Sequence, residues 1–300
     1  MSDEPQVPAV AEPPKPPSRL RRIVAFPLVL MVIAVVLFVA ASALANFLID
    51  LVPRQSGSPL LLVNAAIVIP CLLAAYWLFS RFVAREPMTL FAPEGWAKEL
   101  LAGIAAGAVL FSVVVASVAT LGGYRVAGWG DLTTFWAPFT ISIISGFAEE
   151  LLFRGILFRY LERTAGSWAA LALTSALFGG AHLFNPNASP IAAAAIAIEA
   201  GILLGAVYML TRRLWAAIGL HAAWNFTQGW VFGLPVSGTG GGNGFVHGQL
   251  SGPEILTGGA FGLEASLPAV LVATSAGVAI LIVAVRNGRV VRPLWAQRKE

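Results

Sequence analysis

From Ile23 to Leu48 the chain carries no charged side chain, and seven further apolar runs follow, near 59–82, 100–122, 133–160, 167–184, 189–210, 214–232 and 267–285. Inside a bilayer the backbone N–H and C=O groups find no water, so a crossing segment must satisfy them itself, and about 20 apolar helical residues span the hydrocarbon. All runs but the fifth and seventh reach that length comfortably. The expected fold class is all-α: a polytopic transmembrane bundle of about eight spans. The run at 23–48 contains "ASALA", which looks like a signal-peptidase site, but signal h-regions stop at roughly 7–15 residues. It reads as an uncleaved first span.

The distribution of basic residues tests this topology, because Lys and Arg collect on the cytosolic side. One side receives Lys15, Arg19, Arg21 and Arg22; Arg81, Arg85 and Lys98; Arg159 and Arg163; Arg212 and Arg213; and Arg286, Arg289, Arg292, Arg298 and Lys299. The other receives Arg54 and Arg125, and of the 19 basic residues only Arg154 falls inside a span. Both termini are therefore expected in the cytosol of a multi-pass cell-membrane protein. The net charge of +4 follows from these clusters and forms no face for nucleic acid. Cys71 stands alone within an apolar run, which excludes an intramolecular disulfide and a thiolate metal cluster.

The organisation along the chain follows from the same pattern. Residues 1–22, rich in Pro and polar side chains, read as a disordered cytosolic tail. Residues 23–132 form N-terminal spans, 133–232 a core, 233–266 a flexible Gly-rich loop, and 267–300 a last span with a basic tail. The segment "EPMTLFAPEGWAKEL" mixes apolar and charged residues and is expected at the membrane interface. No internal repeat is visible.

Charged residues make up only 11% of the chain, and ionisable groups at membrane depth cost about 2.5 kcal/mol or more, so those that persist there mark function. They are Glu149, Glu150, Arg154, His182 and His221, with Glu199 as a sixth and Asn225 as a polar companion. At about 100° per residue, Glu150 and Arg154 share a helix face at i, i+4 and can pair, whereas Glu149 points elsewhere and stays available. Phe178 and His182 stand four residues apart around two glycines, as do His221 and Asn225 around "AAW". The third histidine, His247, lies in the Gly-rich loop as a solvated bystander. A carboxylate and a histidine can hold and deprotonate water, and a histidine with an asparagine can donate to an oxyanion. Two histidines and a glutamate are also a ligand set for zinc or another divalent metal, which would fall on Glu149, His182 and His221. Either arrangement performs hydrolysis.

"EELLFR", "FGGAH" and "HAAWN" resemble the EExxxR, FxxxH and HxxxN motifs of the CAAX prenyl protease and bacteriocin-processing (CPBP) family of intramembrane proteases, in order, over roughly residues 133–232. The resemblance implies Glu149 and His182 as the water-activating pair, His221 and Asn225 as the oxyanion site, and Glu150 and Arg154 in support, with Phe178 as the motif-two aromatic. It implies an endopeptidase acting on a CAAX-like or other membrane-associated peptide or lipidated protein. Glu199, outside the motifs, either lines the cavity or pairs structurally. No HExxH and no GxSG occurs, and "GWGD" at 128–131 falls in an expected loop without a Tyr-Asp partner. The reading from another class is a non-proteolytic membrane protein, an immunity or scaffold protein or a proton-coupled transporter, using the same cluster for binding. From the span limits alone His221, Glu149 and His182 are not level in depth.

Overall fold

The computed structural model describes residues 18–53, 58–241 and 244–297. Lys15, Arg54, Arg298 and Lys299, and the tail expected at 1–22 up to residue 17, lie outside the described residues. The helices are α1 (Arg19–Val24), α2 (Pro27–Asp50), α3 (Leu62–Leu78), α4 (Trp96–Thr120), α5 (Trp136–Glu150), α6 (Arg159–Ala181), α7 (Pro190–Ile196), α8 (Ile202–Thr211), α9 (Trp215–Phe226), α10 (Glu254–Thr257), α11 (Leu267–Arg286) and α12 (Leu294–Gln297). Five helical runs are long and apolar enough to cross a membrane: Pro27–Asp50, Pro59–Ala84, Trp96–Thr120, Pro190–Thr211 and Leu267–Arg286. The protein is a multi-pass helical membrane bundle. The three other expected spans are helical but fall outside that set, and they are the ones that carry the motifs. The run at 133–160 holds Glu149, Glu150 and Arg154, and the runs at 167–184 and 214–232 were the short ones.

The outer helices show what a lipid-facing helix requires. In α2 only Leu30, Ala34, Ala41 and Ala45 are buried, a stripe of mostly small residues, while Val32, Val36, Val39 and Phe47 are exposed. Such a helix is apolar on every side because hydrocarbon surrounds most of it, and it docks through close van der Waals approach. The same device, used more tightly, seats α9 against α4. A Cβ on Gly103 would lie 2.2 Å from the Ala216 carbonyl oxygen, and one on Gly219 2.4 Å from the Leu100 carbonyl oxygen. Only hydrogen at these positions lets the two backbones cross at this distance, and that crossing fixes where α9 presents His221.

Helix α5 continues without a break through π-helical turns at Leu151–Phe158 into α6, which bends at Gly166. Gly166 has φ 81° and ψ 168°, a conformation open to glycine, and the chain leaves it with the Ser167 N–H donating to the Val291 carbonyl at 3.0 Å. This bend is the boundary between the fourth and fifth expected spans.

Several basic clusters assigned to one side of the membrane do meet at one end of the bundle. Glu86 accepts from Arg159 at 3.0 Å and from Arg163 at 2.5 Å, Glu162 accepts from Arg212 at 2.5 Å, and Glu99 accepts from Arg213. Burial pushes the Glu86 carboxyl up, but the hydrogen bonds and charges of Arg163 and Arg159 outweigh it and hold the group below its ordinary value.

The segment at 86–100, expected at the membrane interface, packs against the bundle: Leu90 is fully buried, and α4 already begins at Trp96. Two expectations need correction. The segment 233–266 is not a flexible loop among its described residues. It buries Leu234, Phe261 and Leu263 and forms β2 (Val246–Leu250), which pairs antiparallel with β1 (Tyr124–Trp129). This ribbon is the one departure from an all-α fold among the described residues, and it places Gly128 and Trp129 of "GWGD" in a strand rather than a loop. Periodicity missed it because the strands are short, and glycines flank them instead of a tight hairpin turn.

Candidate active site

The charged core of the site begins where α5 widens. A π-helical turn adds a residue per turn and leaves carbonyls without their usual partner, and such turns concentrate at functional sites. Three of them surround this site, at Leu151–Phe158, Ala197–Gly201 and Thr227–Val231. Arg154, in the first, is 1% exposed and donates from Nη1 to Glu150 Oε1 at 2.8 Å. Its Nη2 donates to the carbonyls of Ala200 (3.1 Å) and Gly201 (3.3 Å), which belong to the second π-helical turn and its edge. The guanidinium also lies over the Phe178 ring, 4.6 Å from the centroid. One arginine thus ties the acid, the motif-two aromatic and the helix carrying Glu199.

Glu150, fully buried, also accepts from His221 Nδ1 at 3.0 Å. A carboxylate only accepts here, so Nδ1 carries the hydrogen and Nε2 is the nitrogen left for chemistry. His221 Nε2 faces Glu149 Oε2 at 3.8 Å. Glu149 is one-third exposed as a side chain, yet its Oε2 is out of solvent and has no hydrogen-bond partner among the described residues. The two adjacent acids therefore differ: Glu150 is held by Arg154 and His221 through Oε1, with its Oε2 buried and unpartnered, while Glu149 accepts no hydrogen bond among the described residues.

His182 ends α6 and bonds through Nδ1 to its own helix, to the Phe178 carbonyl at 2.7 Å. A carbonyl cannot donate, so here too Nδ1 is the protonated nitrogen and Nε2 offers a lone pair. The Phe178 ring stands between the histidines, 4.8 Å from the His182 ring and 6.0 Å from that of His221. Asn225 donates from Nδ2 to Ser145 Oγ at 3.2 Å, one turn before Glu149 on α5. Among the described residues no hydrogen bond or ion pair joins Glu149 to His182; the acid meets His221 instead. Of the depth mismatch inferred from the span limits, the crossing of α4, α5 and α9 removes the part between His221 and the two glutamates.

His182, His221 and Asn225 line a narrow cavity of about 30 Å³ together with Glu199. Two further polar residues close it from a direction the sequence reading did not count: Ser237 and Glu264, both from the segment after Gly233. Glu264 is 2% exposed and accepts from the Ser237 N–H, and Gln228 adds a further hydrogen bond. Burial pushes its carboxyl up to about 7, against the opposing pull of those hydrogen bonds and the charge of His221. One sequence signal existed, since Glu264 is a lone acid within "FGLEASLP", directly ahead of a span. A segment read as a loose loop gave no reason to look there.

Glu149, His182 and His221 do not converge on one point, and no group of three or more His, Cys, Asp or Glu among the described residues has metal-holding geometry. The donor set does not fit a three-ligand ion in this arrangement.

Among known families, residues 131–227 match the one described as Type II CAAX prenyl endopeptidase Rce1-like. The matched stretch contains all three motifs, so the similarity to the CPBP proteases rests on the same residues that build the site. No curated protein and no solved structure matches the chain.

Proposed function

With that family match as the premise, we propose that the protein is an intramembrane endopeptidase that hydrolyses a CAAX-like or other membrane-associated peptide. Glu149 Oε2 and His182 Nε2 take the proton of a water as its oxygen adds to the scissile carbonyl. His221, carrying a second proton on Nε2 in addition to the Nδ1–H given to Glu150, and the Asn225 amide donate to the oxyanion that forms, after Asn225 releases Ser145. Collapse of the tetrahedral intermediate breaks the C–N bond, and the leaving amine recovers the proton from the base. Glu150 orients His221 and supports its charged form, while Arg154 holds Glu150 in place. The cytosol is the proposed side of both termini.

One observation carries this reading: of the two neighbouring acids, Glu150 is engaged through Oε1 by Arg154 and His221, whereas Glu149 accepts no hydrogen bond among the described residues and turns Oε2 toward Nε2 of His221 at 3.8 Å. Comparing membrane-protein C-termini by mass spectrometry in cells with the native chain and with Glu149→Gln tests it. Products present with the first and lost with the second, at equal expression, are the expected result. Identical C-termini in both would sink the protease reading and favour the binding or transport alternative.

A further inference from the structure

Four of the arginines that mark topology in the sequence also build a cavity. Arg159 and Arg163 on α6, with Arg212 and Arg213 in the link between α8 and α9, line an open space of about 400 Å³ at the end of the bundle assigned to the cytosol. Ligand pockets run to about 300–1,000 Å³, so this space has room for a headgroup-sized molecule, which the catalytic cavity of about 30 Å³ has not. Its neighbours fix its depth. Arg212 follows directly on the span Pro190–Thr211, and Trp96, which opens the span Trp96–Thr120, packs on Trp215 with ring centroids 5.5 Å apart. Tryptophans and arginines at span ends mark the level of the lipid headgroups.

The charges around the cavity do not cancel. Among the described residues Glu162 is the one acid that lines it, and Glu162 is buried and served on both oxygens, by Ser167 Oγ and by Arg212 Nη1, each at 2.5 Å. Glu86 lies outside the lining and answers two guanidiniums, Arg159 at 3.0 Å and Arg163 at 2.5 Å, while Glu99 takes Arg213. These four cations therefore share three acids, and positive charge is left over. A guanidinium carries five N–H donors, yet Arg159, Arg163 and Arg212 each make only two hydrogen bonds to described residues. Arg212 also holds a left-handed backbone, φ 59° and ψ 13°, at a helix C-terminus where glycine fits more easily. The chain thus keeps a charged fork at a position where a residue without a side chain would cost less.

We propose that this cavity binds a phosphate-bearing anion, with Arg159, Arg163 and Arg212 donating to its oxygens. Planar guanidinium forks match phosphate oxygens in pairs, and basic pockets between transmembrane helices on the cytosolic side suit the headgroups of anionic lipids. A phospholipid of the adjacent leaflet and a soluble phosphate share this chemistry. The inference is independent of the proposed hydrolysis.

The test uses the purified full-length protein in a neutral, phosphate-free detergent. Dioleoylphosphatidylglycerol, dioleoylphosphatidylcholine and inorganic phosphate are titrated at constant ionic strength, and binding is read by thermal unfolding and by native mass spectrometry. Phosphatidylglycerol is expected to bind about tenfold or more tightly than phosphatidylcholine, and the double variant Arg163→Gln with Arg212→Gln is expected to remove that preference. Saturation by inorganic phosphate alone, lost in the same double variant, assigns the site to a soluble phosphate and upholds the inference. Arg81→Gln, at the same end but outside the cavity, is expected to bind as the native chain does. Should the double variant fold poorly, Arg163→Lys with Arg212→Lys replaces it; this pair keeps the charges beside Glu86 and Glu162 but loses the forks, so binding weakens. Native affinity in a folded double variant overturns the inference. So does an equal loss in Arg81→Gln, or a native chain that prefers neither phosphatidylglycerol over phosphatidylcholine nor phosphate over chloride.

Discussion

Replacing each of the two adjacent glutamates by leucine should separate chemistry from stability, with opposite outcomes at neighbouring positions. Glu150 receives two charge-assisted hydrogen bonds, from Arg154 at 2.8 Å and His221 at 3.0 Å, and both partners are buried. Glu150→Leu strands the Arg154 guanidinium with only the Ala200 and Gly201 carbonyls and an aromatic face for company. Breaking a buried ion pair from one side costs about 3–5 kcal/mol, or roughly two to four powers of ten in the folded-to-unfolded ratio. Glu149→Leu loses only the 3.8 Å contact with His221 and fills a partly exposed position, so its stability change should stay within about 1 kcal/mol while cleavage is lost. Unfolding titrations of both variants in mixed micelles, beside a cleavage assay, give the two numbers. The double variant Glu150→Leu with Arg154→Leu is the internal control: replacing both partners by apolar groups should recover much of the loss. Equal destabilisation by the two single variants, or a double variant no better than Glu150→Leu, would refute the division of labour between the acids.

Three further outcomes follow from the geometry. Asn225→Ala should lower kcat about 10²–10³-fold with little change in KM, since an oxyanion donor acts in the transition state; steady-state kinetics on any identified substrate checks it. Gly103→Ala drives a methyl group to within 2.2 Å of the Ala216 carbonyl oxygen and must push α9 away, costing about 1–3 kcal/mol by thermal unfolding and displacing His221 enough to reduce activity. Glu264, raised from an ordinary 4.5 to about 7, contributes stability that is fully present below about pH 4.5 and is lost as pH rises through about 7, at most about 3 kcal/mol. Glu264→Gln should flatten that part of the stability profile, and an unchanged slope would show that the group titrates normally.

Much of the architecture was legible because membrane solvation writes itself into the chain. Unsatisfied backbone cannot face lipid, so long apolar runs announce helices, and the arginine clusters gathered around Glu86, Glu162 and Glu99 follow from the topology those runs imply. The pairing of Glu150 with Arg154 was readable from i, i+4 spacing alone. What was not readable depends on close approach between distant segments. Nothing in "HAAWN" says that His221 will reach over to Glu149, since that contact is made by glycines on α4 and α9 that a hydropathy count treats as neutral. The contribution of Glu264 was hidden for a different reason: glycine-rich composition suggests looseness, yet the segment is pinned by a β-ribbon and by buried Phe261 and Leu263.

Each wide helical turn around the site has an arithmetic consequence. A π-helical turn is an α-helix that has accepted one surplus residue, so removing that residue would rotate everything beyond it by about 100° and aim Glu199 or Gln228 at a different neighbour. A cousin of this chain wound in uniform α fashion at 197–201 should therefore be one residue shorter there, and its alignment should show a single gap within a turn of the acid. Chains that keep the surplus residue keep the inward aim as well.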